Sequence, residues 1–311
     1  MTTKTSGKKK SKDIKFAFAR HESFHFREQW LHKGLTFLAE DSTSLAGKGV
    51  HHNLGLGKNM ADSLRYWMQA SCLAIPDPAV RKPPRPLLLS AVAESILEHD
   101  PYLEDAFTIW LIHLELASNE RLATMWYWIF NEYGNRDFNA ERIVISIEEM
   151  LYKIDTQNTV KRASLEKDFN CFIRTYLPAA TRSGSASAEM DCPLSTLGLI
   201  RPSGTPGMYR FATGPHRDMP TPVFLYSLYK FREATLTQNQ TIGLEDVRWR
   251  PLSPGRLLCL DNRSISERLE EIEYGPQKLA EVIRTAGLSS VYLDPDTTSI
   301  DIVKDYYSRG E

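Results

Sequence analysis

Residues 54–72 read Leu-Gly-Leu-Gly-Lys-Asn-Met-Ala-Asp-Ser-Leu-Arg-Tyr-Trp-Met-Gln-Ala-Ser-Cys, a glycine-rich turn followed by an amphipathic segment. Apolar side chains recur at the three- and four-residue spacing of a helix. The side chains expected on the buried face are Met60, Leu64, Trp67, Met68 and Cys72. The opposite face carries Lys58, Arg65 and Gln69. The stretch therefore predicts a helix from about Lys58 to Leu73.

The same helical spacing recurs through most of the chain. It predicts a helix over 27–40, five more helices between residues 88 and 176, and later helices over 223–234, 264–273 and 276–286. Strand signals are short. Phe16 and Phe18 alternate with Lys15 and Ala17, and residues 287–294 have the composition of a strand. The sequence predicts a mainly α protein with small β elements.

Composition divides the chain into four parts. Residues 1–13 predict a disordered basic tail, and residues 14–177 a helical N-terminal domain. Residues 178–222 are rich in proline, glycine and serine and predict a connection. Two short helices and a terminal strand within residues 223–311 predict a winged-helix-like C-terminal module.

Charge is distributed unevenly, although the 311 residues carry a net charge of only -1. Residues 1–34 hold nine Lys/Arg and three Asp/Glu, a net of +6, whereas residues 261–311 hold six and eleven, a net of -5. This asymmetry favours a polyanion at the N-terminal end. A solvated lysine tail is the alternative explanation.

Cysteine spacing and hydropathy indicate the compartment. Cys72, Cys171, Cys192 and Cys259 lie far apart without a Cys-x-x-Cys pair, which is typical of buried free thiols in a reducing cytosol. The lysine-rich N-terminus does not have the pattern of a signal peptide, and no apolar run is long enough to span a bilayer. We expect a soluble cytoplasmic protein with no membrane partner.

Residues 21–25 spell the zinc-peptidase pattern His-Glu-x-x-His. That pattern needs both histidines on one face of an apolar helix, but Arg20 and Arg27 flank it here and the preceding residues alternate like a strand. A second interpretation is phosphate chemistry, in which the arginines bind phosphate oxygens, the histidines transfer protons, and Glu22 holds a metal or orients a histidine. A third is a structural network of His21, Glu22 and His25.

The glycine-rich turn resembles the end of a Walker A loop. His52 stands where the leading glycine belongs, and Asn59 replaces the hydroxyl side chain that binds Mg²⁺. The turn still predicts Lys58 and free backbone N–H groups at a helix N-terminus, which is a general phosphate site. Arg65 lies two turns further along the same exposed face. The alternative is that the glycines serve only the turn.

Three strings resemble a known family: Phe18-Ala-Arg-His-Glu-Ser-Phe-His, Leu54-Gly-Leu-Gly-Lys-Asn-Met with Arg65-Tyr-Trp, and Asp100-Pro-Tyr-Leu-Glu-Asp leading to Trp110-Leu-Ile-His. The chain is similar over nearly its whole length to the SspB-like family of unknown function, which accompanies DNA phosphorothioation and phage-defence cassettes. The resemblance implies a component that engages or nicks DNA so that sulfur can enter the backbone. It also implies work beside a cysteine desulfurase, an ATPase and a phosphoadenosine-phosphosulfate-reductase-like protein.

We therefore expect a DNA-binding and single-strand nicking protein. The expected catalytic residues are His21, Glu22 and His25, using Mg²⁺ or Mn²⁺ and no organic cofactor. The expected DNA-binding residues are Lys8, Lys9, Lys10, Arg20, Arg27, Lys33, Lys58, Asn59 and Arg65. The first alternative is a non-catalytic module that recognises DNA and recruits the sulfur-transfer proteins, and a more remote one is a zinc metallopeptidase.

Overall fold

The computed structural model describes residues 16–25, 27–42, 45, 49–82, 85–154, 160–179, 192–235, 241–275, 279–285 and 288–310. The expected basic tail, with Lys8, Lys9 and Lys10, lies outside these residues. Part of the expected connection, residues 180–191, lies outside them too.

Helices form most of the described chain. They are α1 (Glu28–Glu40), α2 (Val50–Leu54), α3 (Lys58–Ala70), α4 (Ala91–His99), α5 (Ala106–Ala117), α6 (Thr124–Tyr127), α7 (Ala140–Ile154), α8 (Arg162–Tyr176), α9 (Thr221–Thr235), α10 (Leu244–Trp249), α11 (Pro254–Leu257), α12 (Asn262–Glu273) and α13 (Ser299–Arg309). A π-helical turn, Trp128–Glu132, continues α6, and a 3₁₀ turn spans Pro193–Leu197.

Within the described residues, eight short strands form three small antiparallel sheets. The strands are β1 (Ala74–Pro76), β2 (Leu87–Leu89), β3 (Asp137–Phe138), β4 (Ile200–Pro202), β5 (Tyr209–Phe211), β6 (Thr241–Gly243), β7 (Ala280–Thr285) and β8 (Leu288–Leu293). The sheet orders are β1-β2, β3-β5-β4 and β6-β8-β7. The mainly α fold with small β elements is confirmed.

Helix α5 is the centre of the core. Its residues from Phe107 to Ala117 are all buried, because the helix is apolar on nearly every face and is surrounded by other elements. Aromatic rings pack beside it, with Trp126 edge-on to Phe172 at 6.1 Å and Phe130 to Tyr176 at 5.3 Å between ring centroids. These aromatic side chains therefore form part of the core.

The helix expected from the opening stretch is confirmed as α3, although it ends at Ala70 rather than Leu73. Leu64, Trp67 and Met68 are fully buried. Met60 and Cys72 are only half-buried. Helices α1, α9 and α12 lie close to their expected bounds.

Two expectations of secondary structure were wrong. Residues Phe16 to Phe18 form no strand, because no described segment pairs with them beyond a single bond from Ala17 N–H to Arg121 O of 2.9 Å. The helix expected over 276–286 is strand β7 where the structure describes it. Val282 and Ile283 favour extended backbone, and pairing with β8 overrides the helical spacing.

The C-terminal part contains α9, β6, α10, α11, α12, β7, β8 and α13 in that order. Its winged-helix character stays a prediction, as does the division into domains. Strands β4 and β5 lie within the expected connection, and β5 pairs with β3 from the N-terminal part. Among the described residues, no helix is both long and apolar enough to cross a membrane.

Candidate functional site

The turn at residues 19–23 has unusual backbone geometry. Ala19, Glu22 and Ser23 all lie in the left-handed region, with φ of 53°, 49° and 66°. Such conformations are unfavourable for residues with a Cβ and persist only where surrounding contacts hold them. Here Ala19 N–H donates to Asp168 Oδ1 at 2.8 Å, and Phe24 N–H donates to His21 O at 2.8 Å. The turn is strained and firmly held.

His21 lies at the centre of this turn with 1% of its surface exposed. Its Nε2 is 2.7 Å from Asp168 Oδ1, and its Nδ1 accepts a hydrogen bond of 3.1 Å from Ser23 N–H. Because Nδ1 is an acceptor, Nε2 carries the proton and donates it to the carboxylate. Both ring nitrogens are therefore occupied.

Asp168 on α8 is the buried partner of that bond. Burial raises the pKa of its carboxyl group, while the hydrogen bonds from His21 and the Ala19 amide oppose the rise. A carboxylate in such a place needs both donors, since an unpaired buried charge is costly. The His21–Asp168 contact therefore joins the N-terminal turn to α8.

Two further bonds fix the turn against α3. Ser63 Oγ donates to His21 O at 2.9 Å, and the Trp67 indole N–H donates to Phe24 O at 3.0 Å. The His21 ring also lies 6.3 Å from the Trp67 ring in a stacked orientation. The turn therefore packs against the buried face of α3, which brings together the two stretches singled out in the sequence.

The other expected residues of the turn differ in exposure. Arg20 and Glu22 are exposed, whereas His25 is buried. Arg27 is half-buried, with its guanidinium 5.5 Å from the centroid of the Trp30 ring, and its Nε has no hydrogen-bond partner among the described residues. Of these four residues, only Arg20 and Glu22 are exposed.

The glycine-rich turn precedes α3 as expected. Gly55 has φ of +61° and ends α2, and Gly57 is the N-cap of α3 without a side-chain cap. Lys58 and Asn59 are exposed in the first turn, which contains no acidic residue. Lys33 donates to Leu54 O at 2.9 Å, so its ammonium group provides a hydrogen-bond donor for a backbone carbonyl at the C-terminal end of α2.

The arrangement suits anion binding better than peptidase chemistry. Residues 21–25 are not helical, so His21 and His25 do not share the helix face that zinc binding by this motif requires. Lys58 and Asn59 instead lie in the first turn of α3, which has no side-chain cap. Arg65 is half-buried two turns further along α3, and Arg20 is exposed in the turn that packs against this helix. The described residues hold no group of three side chains able to bind a metal ion.

Sequence reasoning missed two features. Asp168 is 147 residues from His21, and no local pattern signals their contact. The second feature is a groove near Trp249, which is 59% exposed. The string Arg248-Trp-Arg250 could have indicated it, because arginines around an exposed aromatic ring are typical of nucleic-acid surfaces.

Fold and site together define a mainly α-helical protein with a strained basic turn held by a buried histidine. The chain matches the model of the family described as "Protein of unknown function (DUF4007)" over residues 18–307, and it belongs to that family.

Solved structures are similar over nearly the whole chain. The crystal structure described as "Magnesium ion-bound SspB crystal structure" has a TM-score of 0.83 at 24% identity, covering 94% of this chain and 87% of that one. The "SspB crystal structure" has a TM-score of 0.82 with the same identity and coverage. These similarities concern the fold. Among curated proteins, no sequence matches the chain.

Proposed function

We propose that this protein is the DNA-binding and strand-nicking component of a DNA phosphorothioation system. Two observations support the proposal: the similarity in fold to SspB over 94% of the chain, and the exposed cations around the 19–23 turn and α3. The bond between Ser63 Oγ and His21 O carries the binding part of the proposal most directly, because it joins the turn that bears the exposed Arg20 to the helix whose first turn bears the exposed Lys58.

DNA binding on this face would use phosphate contacts. Lys58 lies five residues before Ser63, about 8 Å along the helix axis, and Arg65 lies two residues after it. Arg20, Lys58 and Arg65 would bind backbone phosphates, and Asn59 and the free N–H groups of α3 would add hydrogen bonds. Lys33 has a carbonyl partner already, so we assign it a smaller share.

Nicking would be hydrolysis of one phosphodiester, in which water adds to phosphorus and one P–O bond breaks. Glu22 is the exposed carboxylate of the turn. Mg²⁺ commonly binds through one or two carboxylates together with substrate phosphates and water, so Glu22 fits such an ion in the presence of DNA. When bound, the ion would stabilise negative charge on the phosphate. His21, which is buried and hydrogen-bonded through both ring nitrogens, holds the turn, and His25 is buried too.

The second candidate is a non-catalytic module that recognises DNA and recruits the sulfur-transfer proteins. The occupied nitrogens of His21 favour it, since a ring with both nitrogens bonded has no free site for proton transfer to a substrate. The C-terminal part, with its expected winged-helix-like architecture, would be the recruitment surface in that case.

A plasmid assay separates the two candidates. Supercoiled DNA is incubated with the protein and Mg²⁺ or Mn²⁺, with and without the cysteine desulfurase, the ATPase and the reductase-like partner. Nicking predicts open circles with wild type and their absence with Glu22→Gln, whereas the matched exposed variant Glu141→Gln should nick normally. Binding without open circles under any condition, or full activity of Glu22→Gln, overturns the catalytic part.

A further inference from the structure

A groove of about 380 Å³ lies on a different part of the molecule from the 19–23 turn. It is bounded by the segment after the π-helical turn, the end of α10 at Trp249, and the link from α11 to α12. Its apolar lining includes the buried side chains of Phe130 and Leu260. The size is within the range of small-ligand sites.

Trp249 at this groove is 59% exposed, whereas the other five tryptophans of the chain are buried or half-buried. A solvent-exposed indole beside an open groove is unusual for a core-forming residue. Its flat face is the kind of platform on which an unpaired nucleic-acid base stacks.

Arg256, beside Trp249, is held in place by hydrogen bonds that leave its positive charge unpaired. Arg256 Nε donates to Trp249 O at 3.3 Å, and its Nη1 donates to Tyr133 O at 3.1 Å. Both partners are neutral carbonyls, so the guanidinium keeps its positive charge, and Nη2 has no partner among the described residues. A guanidinium fixed in this way is suited to a phosphate oxygen.

The positive surface continues beyond the groove. Arg136 and Asn135 line both the groove and a neighbouring depression of about 510 Å³, which also contains Arg142. Both Arg136 and Arg142 are exposed and have no ion-pair partner among the described residues. A path that runs through both the groove and the depression suits a nucleic-acid strand better than a single free nucleotide.

Four acidic groups lie near this path, and the charge of one of them, Glu132, acts on Arg256, where it opposes the lowering of the Arg256 pKa by burial. Asp261 lines the groove, but its Oδ1 accepts the Ser264 N–H at 2.7 Å as the N-cap of α12. In the depression, Asp137 is paired with Arg210 at 2.6 Å, and Glu149 is exposed at the far side.

The backbone around the groove has features common at binding sites. The π-helical turn ends with Tyr133 N–H bonded to Trp128 O at 2.9 Å, and the residues directly after it line the groove. Cys259, also in the lining, has φ of 50°, in the left-handed region.

We propose that this groove binds an unpaired nucleotide of single-stranded DNA, with the base on Trp249 and backbone phosphates on Arg256 and Arg136. The side-chain amides of Asn135 and Asn262 would form hydrogen bonds with the edge of the base. The inference rests on the proposed function, since a nicked or opened duplex supplies such a strand. Bases inside a duplex are stacked on each other, so Trp249 would not reach them.

The test is fluorescence anisotropy of labelled oligo-dT and of a labelled duplex with the full-length protein. Trp249→Ala should weaken binding to the single strand about tenfold or more, as base stacking on an aromatic ring predicts. Trp249→Phe should retain most of the affinity, and binding to the duplex should not change. The control is Tyr274→Ala, since Tyr274 is 83% exposed at the opposite end of α12 from the groove.

Arg136→Gln should lower the slope of log affinity against log salt by about 0.7 for the single strand. Equal single-strand binding by wild type and Trp249→Ala, or an equally weakened Tyr274→Ala, overturns the proposal and leaves Trp249 for a protein contact. Binding of dTMP as tight as that of the oligonucleotide overturns the strand assignment.

The two proposals fail separately. Duplex binding and nicking with no effect of Trp249→Ala would contradict the groove alone. Single-strand binding that depends on Trp249, without duplex binding or nicking, would contradict the proposed function and support the groove. Absence of binding to either DNA contradicts both.

Discussion

The turn at residues 19–23 contains the buried His21, and a second buried histidine, His113, lies 4.9 Å from the ring of Phe130 in the lining of the groove at Trp249, but the two histidines are held differently. His21 donates to a buried carboxylate, whereas His113 lies between the Tyr176 hydroxyl and the Leu257 carbonyl, at 2.8 Å from each. The turn contains the motif-like residues, yet its ring nitrogens are occupied. The groove has no recognisable motif, yet Trp249 and Arg136 are exposed in it and Arg256 is half-buried there. A histidine within a motif, such as His21, can thus serve packing.

The largest expected effect follows from removing His21. His21→Ala leaves Asp168 buried without its main partner, which should cost about 3–5 kcal/mol in the free energy of unfolding. Urea denaturation measures it, with Glu22→Ala, exposed in the same turn, expected within about 0.5 kcal/mol of wild type. If His21→Ala were as stable as wild type but inactive in nicking, His21 would be a catalytic group rather than a structural one.

The corresponding test for His113 is the pH dependence of the free energy of unfolding. Burial lowers the pKa of His113 to about 4 from 6.5. The folded state keeps the ring neutral while the unfolded state takes up a proton below pH 6.5, so stability is full above that pH and falls as pH drops towards 4. At about 1.4 kcal/mol for each pKa unit, the decrease reaches about 3 kcal/mol.

His113→Gln should flatten this part of the pH profile, measured by urea denaturation at several pH values. His51→Gln, in the short helix α2, is the control and should keep the wild-type slope. An unchanged slope in His113→Gln would show that protonation of this buried ring does not cause the loss of stability at low pH.

A smaller effect is expected where α10 and α11 meet beside the groove. A Cβ on Gly255 would lie 2.5 Å from the Arg248 carbonyl oxygen, so Gly255→Ala should push the helices apart and cost about 1–3 kcal/mol. Thermal unfolding measures the change. Gly214→Ala is the matched control, because nothing lies within 4 Å of its added carbon. Equal melting temperatures for the two variants would contradict the close packing.

The smallest expected effect concerns Lys33. Lys33→Met removes one hydrogen bond to the Leu54 carbonyl and should cost about 1 kcal/mol in the free energy of unfolding. Because that ammonium group is already engaged, its removal should weaken DNA binding less than Lys58→Met does. A greater decrease of DNA affinity in Lys33→Met would make Lys33 the primary phosphate contact.

The sequence predicted what local spacing determines. The α3 helix, the glycine-rich turn before it and most other helices follow from apolar periodicity, which a single segment contains. The β7 strand was missed because its pairing with β8, rather than its own spacing, decides its conformation. The burial of His21 depends on Asp168, a contact across 147 residues that periodicity does not encode.

The two candidate sites differ in the same way in how far the sequence could predict them. Exposure of Lys58, Asn59 and Arg20 could be anticipated from charge and helix position. The groove could not, because it forms where the π-helical turn, α10 and the α11–α12 link meet, and these are distant in sequence. The Arg-Trp-Arg string at residues 248–250 is the signal that could have indicated it.

The most direct test of DNA binding by the N-terminal face is the salt dependence of duplex binding, measured by anisotropy for wild type, Arg20→Gln, Lys58→Gln and Lys304→Gln. Removal of a side chain that binds one phosphate should lower the slope of log affinity against log salt by about 0.9. We predict that decrease for Arg20→Gln and for Lys58→Gln, and the wild-type slope for Lys304→Gln, whose exposed side chain lies on α13. Equal slopes in all four proteins would contradict the account.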